Sequence, residues 1–169
     1  MYIKLLEENC MLFYHTWERC CMLVNNTNTN SNYNNSTNSY SILLIDDEVD
    51  ILSVIKRPLQ EYGFDICSFT KPAIALEHYK TNSNTHHLVI SDLQMPNMNG
   101  FEFVRKVKEI NSNVKVFLMT CFEISDLQLQ NNSLPTKLLV DEFILKPFSI
   151  ENLFKLINKH MYYRIKVPS

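Results

Sequence analysis

From residue 41 onward, short apolar runs alternate with stretches of helical periodicity, and this alternation limits the possible folds more than any other feature of the chain. Strands that alternate with helices pair in parallel, since each helix carries the chain back to the edge where the previous strand began. Several runs are continuously apolar, as strands must be when helices cover both faces of a sheet. Five strands are predicted, at 42–45, 65–69, 88–91, 114–119 and 142–145.

Helical periodicity fills the intervals between these strands and follows the last of them. The predicted helices lie at 49–62, 73–81, 100–110, 123–131 and 150–162. In the last helix, Leu153 and Ile157 repeat on one side, and Ser149 stands in the N-cap position. Pro58 lies inside the first helical stretch, where it removes a backbone hydrogen bond, so we expect a kink or a helix that begins late. The sequence therefore predicts an α/β fold built on a five-stranded parallel sheet.

The residues before this domain have a different composition. Residues 25–38 are all Asn, Thr, Ser or Tyr, which leaves almost nothing to bury, so 25–40 is predicted to be a disordered linker. The head, 1–24, carries an a/d heptad pattern at Ile3, Leu6, Cys10, Phe13, Trp17, Cys20 and Val24. The pattern is compatible with a helix that dimerises or docks on a partner. A helix folded back on its own domain, or a poorly ordered extension, is favoured because cysteine is a weak choice for a coiled-coil core. The main domain is predicted at 41–163 and a short tail at 164–169.

Net charge, hydropathy and cysteine content exclude several classes of protein. The formal net charge of −2 at pH 7 gives no reason to expect nucleic acid or an anionic membrane as a partner. No apolar run approaches the roughly 20 residues that span a bilayer, and the N-terminus lacks a secretory signal. The five cysteines show no CxxC spacing, so we expect reduced thiols in a cytoplasmic protein. The five histidines are interpreted as surface or loop residues, with His86 and His87 in a loop before the third strand.

Polar side chains follow four of the predicted strands at the points where those strands end. Asp46 and Asp47 follow the first strand, Asp92 the third, Thr120 the fourth and Lys146 the fifth. Because the carboxyl ends of parallel strands lie at one edge of a sheet, these five side chains are expected to converge. Three carboxylates in one place repel one another, so some must be protonated or neutralised by a cation.

A magnesium ion suits such a cluster, because Mg²⁺ binds carboxylate oxygens, keeps several waters and leaves room for a phosphoryl oxygen. Lys146 adds a compact positive charge that can pair with an incoming anion, and the Thr120 hydroxyl can donate a hydrogen bond to it. One carboxylate is suited to receive a phosphoryl group as the nucleophile. Each residue alone is uninformative; the signal is the complete set, in order, at the strand ends.

With these residues in place, the chain from about 41 to 162 resembles the receiver domain of two-component response regulators. The motifs that carry the resemblance are LLIDDE (43–48), VISDLQMPNMNG (89–100), VFLMT (116–120) and DEFILKPF (141–148). It implies the flavodoxin-like receiver fold, a doubly wound sheet with strand order 2-1-3-4-5. The implied site roles are Asp92 as phosphoacceptor; Asp46, Asp47, Asp92 and the backbone carbonyl of Gln94 as Mg²⁺ ligands; Thr120, Lys146 and Phe143 as phosphoryl-contacting and switch residues; and Pro147 as a cis-proline.

The resemblance also implies a signalling mechanism. A sensor histidine kinase or phosphotransfer protein donates a phosphoryl group to Asp92, and Thr120 and Phe143 then move. This movement alters the face formed by the fourth predicted helix, the fifth strand and the last helix, which we call the output face. Only ten residues follow Lys159, so we expect a single-domain receiver that acts on a downstream protein and is not an enzyme. Dimerisation through residues 3–24 or through the output face is left open.

Two features depart from the family pattern. The interval from Thr120 to Lys146 is 26 residues, longer than expected, and NNSLPTKLL (131–139) stands where a Gly-Ala pair is usual. The output face is therefore expected to be unusual. Phe122 and Gln94 occupy positions that tune the access of water to the acyl phosphate, and the bulk of Phe122 predicts slow self-dephosphorylation.

Three alternatives belong to other classes of protein. A receiver-like adaptor would bind partners without phosphorylation; the intact site residues argue against it, and the altered 131–139 segment argues mildly for it. An aspartate-based phosphohydrolase would carry a DxDx[TV] motif, from which DLQMP differs. Nucleic-acid binding ranks last because the sequence has no basic cluster.

Overall fold

The structure, a computed structural model, describes residues 40–122 and 138–161 of the 169-residue chain. Within these ranges the elements are β1 (Ser41–Ile45), α1 (Val49–Glu61), β2 (Asp65–Phe69), α2 (Pro72–Asn82), β3 (His86–Asp92), α3 (Gly100–Ile110), β4 (Lys115–Thr120), β5 (Glu142–Leu145) and α4 (Ile150–Met161). The strands form one parallel sheet in the order β2-β1-β3-β4-β5. The predicted doubly wound α/β fold and its strand order are confirmed.

The sheet is buried on both faces because successive residues of each strand supply two separate cores. Leu43 and Ile45 of β1 pack with side chains of α2 and α3 on one face. Ile42 and Leu44 pack with side chains of α1 and α4 on the other. A strand that faces helices on both sides needs apolar residues at consecutive positions, which explains the unbroken apolar runs in the sequence.

The order of the strands reverses direction at β1, and this reversal locates a crevice. The chain passes from β1 to β2 on one side, and then returns to place β3 against the other side of β1. The connections after β1 and β3 therefore diverge to opposite faces of the sheet. In open α/β sheets ligands bind at this point, beyond the carboxyl ends of the strands.

Local side chains set the ends of the helices. Ser149 Oγ accepts a hydrogen bond from the Asn152 backbone N–H at 3.2 Å, as its predicted N-cap position requires. Gly63 follows α1 with a φ of 89°, a left-handed conformation that glycine adopts at little cost. Helix α1 already begins at Val49 and contains Pro58, so the alternative of a late start is wrong. Burial of Leu59, directly after the proline, favours the intact helix.

One sequence interpretation is wrong for the start of β3. His86 and His87 belong to this strand, since Ser41 of β1 pairs with His86. His86 is also buried, with 6% of its surface exposed, whereas it was interpreted as a loop residue. A histidine pair before an apolar run shows no strand periodicity, so the pairing with β1 could not be inferred from sequence.

Several predictions fall on residues that the structure does not describe. These are the head at 1–24, the linker up to residue 39, the helix at 123–131, most of the 131–139 segment, and the tail. The domain boundaries derived from the sequence therefore stay predictions.

Candidate functional site

The predicted site residues lie at the carboxyl ends of four neighbouring strands. Asp46 directly follows β1, Asp92 and Thr120 are the last residues of β3 and β4, and Lys146 directly follows β5. The strand register brings these ends level: Ile45 pairs with Ser91, Asp92 with Met119, and Thr120 with Leu145. The parallel sheet thus gathers residues that are up to 100 positions apart in sequence.

Lys146 joins the two buried carboxylates. Its Nζ lies 2.8 Å from Asp46 Oδ2 and 2.6 Å from Asp92 Oδ1, and it donates a hydrogen bond to each. All three side chains are almost withdrawn from solvent, with 11% of Lys146, 1% of Asp46 and 9% of Asp92 exposed. In such surroundings an unpaired charge would be very costly, so each member of the trio depends on the others.

Backbone groups hold the remaining carboxylate oxygens. Asp46 Oδ1 accepts a hydrogen bond from the Glu48 N–H at 2.9 Å, and Asp92 Oδ2 accepts one from the Gln94 N–H at 2.7 Å. The Lys146 N–H donates to the Thr120 carbonyl at 2.7 Å, which ties the lysine backbone to the end of β4. Both carboxylates are therefore oriented before any ligand arrives.

Burial and mutual repulsion perturb both acids. Burial raises the pKa of Asp92 to about 6; Lys146 opposes this rise, and the negative charge of Asp46 adds to it. Burial also raises the pKa of Asp46 against the opposing effect of Lys146. Burial lowers the pKa of Lys146, but Asp92 and Asp46 outweigh it, so the net shift is upward. One ammonium therefore compensates two carboxylates incompletely, and the site is short of positive charge.

The other predicted site residues surround this trio without all touching it. Asp47 and Gln94 are exposed beside it, and Thr120 is buried, its Oγ1 accepting a hydrogen bond from the Phe122 N–H at 3.0 Å. Phe143 is partly buried on β5, with its ring centroid 6.3 Å from that of Phe101 in an edge-on arrangement. The Lys146–Pro147 peptide bond is cis.

The donor set fits a hard divalent cation in its chemistry. Asp46, Asp92 and the neighbouring Asp47 offer carboxylate oxygens, and the deficit of positive charge favours a cation. In the described part of the chain, however, no three His, Cys, Asp or Glu side chains already stand together as a metal-binding group. Asp47 would have to turn towards the two buried carboxylates to complete one.

Gly100 supports the site in a way that the sequence analysis missed. A Cβ at this position would lie 2.5 Å from the Asp92 carbonyl oxygen and 2.8 Å from Leu93 Cα. The Gly100 N–H donates to the Leu93 carbonyl at 2.8 Å, so the start of α3 rests on the residue after Asp92. The glycine that ends the VISDLQMPNMNG motif was the available signal, although it indicated only a turn before a helix.

Two further expectations can be compared with the structure. Cys67 carries a free thiol, in agreement with the expectation of reduced cysteines. Across residues 40–122 and 138–161, none of the helices combines the length and the apolar character needed to span a membrane.

Comparison with known proteins identifies the family. A family model described as the response regulator receiver domain matches residues 42–158, more than two thirds of the chain. The chain belongs to the response regulator receiver family. It is thus a CheY-like receiver domain of the two-component type, as the motifs at the strand ends imply.

Relatives of this receiver differ in how much of their length it spans. It is 27% identical to the chemotaxis protein CheY of Bacillus subtilis over 122 residues, which are 72% of this chain and 97% of that protein. It is 31% identical to the regulatory protein VanRB of Enterococcus faecalis, covering 70% of this chain and 51% of VanRB. It is 38% identical to the sensor protein EvgS of Escherichia coli, covering 47% of this chain and 6% of EvgS. The receiver therefore spans almost all of CheY and only part of the other two.

Solved structures of receivers share the fold. A response regulator receiver domain from Clostridium thermocellum is 29% identical, with a TM-score of 0.64 over 71% of this chain and 92% of that one. The response regulator TrrA of Thermotoga maritima, solved in complex with Mg²⁺ and beryllofluoride, is 28% identical, with a TM-score of 0.60 over 71% of this chain and 97% of TrrA.

Proposed function

We propose that this receiver is phosphorylated on Asp92 in a two-component phosphorelay and signals by contact with another protein. The observation that carries the proposal is the Lys146 ammonium held between two buried carboxylates at the strand ends. Such an arrangement is costly for stability alone, because replacing a buried ion pair by apolar residues is often neutral or favourable. A binding role for an incoming anion accounts for its presence.

Asp92 is the proposed nucleophile because both of its oxygens are oriented and its charge is incompletely compensated. With a pKa of about 6 it is ionised at pH 7. A carboxylate oxygen attacks the phosphorus of a phosphohistidine; the P–O bond to Asp92 forms as the P–N bond breaks, and the leaving imidazole takes a proton from solvent. Lys146, already 2.6 Å from Asp92, is placed to pair with the phosphoryl oxygens.

Magnesium is the proposed cofactor, with Asp46, Asp47, Asp92 and the Gln94 carbonyl as its protein ligands. When bound, Mg²⁺ would neutralise the carboxylates and the phosphoryl oxygens and so allow an anionic donor to approach. The TrrA complex with Mg²⁺ and beryllofluoride supports this assignment by family relationship.

The proposed output uses Thr120 and Phe143. Thr120 Oγ1 accepts a hydrogen bond from the Phe122 N–H, and a phosphoryl group on Asp92 offers its hydroxyl a stronger, charged acceptor. Inward movement of Thr120 would draw Phe143 after it and alter the output face. The proposed partners are a sensor histidine kinase or phosphotransfer protein upstream and a protein target downstream. We propose no catalytic activity on other substrates, and a cytoplasmic location.

Labelling with acetyl phosphate tests the proposal. Wild-type protein in Mg²⁺ should gain one phosphoryl group by intact mass, and removal of Mg²⁺ with a chelator should abolish the gain. Asp92→Asn should gain nothing. Asp65→Asn is the matched control, since Asp65 is an exposed aspartate at the start of β2, and it should label like wild type.

An adaptor that works without phosphorylation is the competing function. One observation favours it: the described residues hold no preformed group of three metal-ligating side chains. Folded wild-type protein that gains no label from acetyl phosphate, and shows no NMR change with beryllofluoride and Mg²⁺, would contradict the switch and favour the adaptor.

A further inference from the structure

A second cluster of chemically active side chains lies at the opposite end of the sheet from Asp92. His78 of α2 and His86 of β3 face each other with their Nε2 atoms 2.9 Å apart. Cys67 of β2 places its Sγ 3.6 Å from His78 Nε2. His86 is buried, while His78 and Cys67 are half-buried. Three separate elements thus bring two imidazoles and a free thiol together.

The distances between these atoms approach those between ligands of one metal ion. Two imidazole nitrogens bound at 2.0–2.1 Å to a tetrahedral zinc ion lie about 3.3 Å apart, and a thiolate sulfur at 2.3 Å lies about 3.6 Å from each nitrogen. The distance from Cys67 Sγ to His78 Nε2 equals this value, and the distance between the two Nε2 atoms is 0.4 Å shorter. The Nε2 atoms of His78 and His86 now share one hydrogen between them. A metal ion would take the place of this hydrogen and bind both nitrogen lone pairs.

The surroundings also suit a metal ion of borderline softness. The other ring nitrogen of His86, Nδ1, lies 3.0 Å from Ser41 Oγ, which can accept its hydrogen and keep Nε2 free as a ligand. The cluster lines a cavity of about 500 Å³ that also touches Asp65 and opens to solvent, which gives an ion and a bound water a route of entry.

We propose that Cys67, His78 and His86 bind a borderline divalent transition-metal ion such as Zn²⁺, with water in the fourth position. Binding replaces the hydrogen between the two Nε2 atoms. With the hydrogen of His86 on Nδ1, the hydrogen between the two rings belongs to His78 and moves to His78 Nδ1. The imidazoles therefore lose no net proton, and the Cys67 thiol releases one proton to solvent. The ion then links α2, β2 and β3 at one point.

The site forms on binding and does not exist ready-made. In the described ranges no three such side chains already stand in a metal-binding group, so the ring of His78, on the surface of α2, must rotate slightly. Its Nδ1 lies 3.5 Å from Asn82 Nδ2, a contact weak enough to break. Because the cluster lies at the start of β3 and Asp92 at its end, this proposal is independent of the proposed phosphorylation.

Cobalt binding to the full-length protein tests the site, since Co²⁺ bound by a thiolate absorbs in the near ultraviolet. Wild type should bind one Co²⁺ with a sulfur charge-transfer band that Zn²⁺ removes by competition. Cys67→Ser should lose the band, and His78→Gln should weaken binding by about tenfold or more. His160→Gln is the matched control and should bind like wild type. It changes a half-buried histidine of α4 that contacts Glu142 of β5.

A second readout does not depend on the spectrum. Zn²⁺ should raise the thermal unfolding midpoint of wild type and of His160→Gln by similar amounts, and should raise that of His78→Gln less. The proposal is overturned if wild type shows no charge-transfer band, or if Cys67→Ser keeps it, which would place the metal on other cysteines. Acetyl phosphate labelling of Asp92 should be the same in all of these variants, so a failure here is distinguishable from a failure of the proposed function.

Discussion

Lys146 brings a full charge to a place that water hardly reaches, and two carboxylates hold it there. The arrangement is electrostatically unbalanced because, among the described residues, Lys146 is the only cation that hydrogen-bonds to Asp46 or Asp92. Asp141 shows the opposite case within the same sheet. Burial alone would raise its pKa, but hydrogen bonds from Lys115 and the Val116 N–H, together with the charge of Lys108, lower it. Removing the charge of Asp92 should therefore stabilise the protein, whereas removing the charge of Asp141 should destabilise it.

Asp92→Asn should stabilise the protein in the absence of divalent cations. The pKa of Asp92 is about 6 in the folded protein, against an ordinary value of 3.8 that applies to the unfolded chain. Stability therefore falls as the pH rises from about 3.8 to about 6, because the carboxylate ionises more readily in the unfolded chain. At pH 7 the free energy of unfolding of the variant should be about 1–3 kcal/mol higher than that of wild type. Near pH 4, where Asp92 is protonated, the difference should vanish. Urea unfolding at both pH values in a chelating buffer measures this.

The matched control for this prediction is Asp141→Asn. Its lowered pKa means that its ionised form favours folding, so the variant should be less stable than wild type at pH 7. A loss of stability in both variants at pH 7 would contradict the charge imbalance inferred for the Asp92 site.

Gly100→Ala should destabilise the protein more than Gly63→Ala. The new Cβ would meet the Asp92 carbonyl oxygen at 2.5 Å and Leu93 Cα at 2.8 Å, and backbone atoms cannot turn away as side chains can. A cost of about 2–3 kcal/mol is expected for such overpacking. Gly63 has a φ of 89° but no atom within 4 Å of the added carbon, so backbone strain of about 1 kcal/mol is its only cost. Chemical denaturation compares them; equal losses would refute the steric argument.

At the scale of secondary-structure elements, β3 is the strand that joins the two polar clusters. His86 lies at its start and Asp92 at its end, with Leu88, Val89 and Ile90 fully buried between them. The strand also connects the two cores, since Val89 faces α2 and α3 while Leu88 and Ile90 face α1 and α4. Substitutions in β3 should therefore report on the stability of the whole sheet.

His86 should make stability depend on pH in acid. Burial, followed by the neighbouring His78, lowers the pKa of His86 from 6.5 to about 4. The unfolded chain then binds a proton that the folded protein does not bind between these values, so stability falls as the pH drops from about 6.5 to 4. The loss approaches about 1.4 kcal/mol per pH unit. Relative to wild type, His86→Gln should show a flatter dependence in chelating buffer, measured by urea unfolding.

Asp92 changes the stability in the opposite direction over the same pH range. Its contribution is the same in wild type and in His86→Gln, so it cancels in the difference between their free energies of unfolding. Parallel curves for wild type and His86→Gln would show that His86 is protonated equally in the folded and unfolded states.

At the scale of the whole molecule, stability and ligand binding are linked, because a cation that binds only the folded protein shifts the unfolding equilibrium. Mg²⁺ at ten times its dissociation constant should stabilise wild type by about 1.4 kcal/mol. Asp47→Asn should reduce this gain while leaving stability in chelating buffer within about 0.5 kcal/mol of wild type, because Asp47 is exposed. Thermal unfolding with and without Mg²⁺ measures both effects. An unchanged gain in the variant would remove Asp47 from the proposed ligand set.

The sequence alone determined the fold class, the strand order through family resemblance, and the residues at the strand ends. It could do so because apolar periodicity is local, and because strands of a parallel sheet end at one edge whatever their detailed packing. Even the bounds of β2, β5 and α3 agree with the predicted ones. Turn and cap residues such as Gly63 and Ser149 are equally local signals.

Only the tertiary structure decided which side chains meet and how they are charged. The sharing of Lys146 between Asp46 and Asp92 depends on register across three strand pairs, which no local pattern records. The sequence indicated a loop at His86 because its partners are not its neighbours in a local pattern. Ser41 lies on β1, 45 residues earlier in the chain, and His78 lies on α2. The pKa values of Asp92 and His86 follow from burial, and burial is a property of the assembled sheet and helices rather than of any segment of the chain.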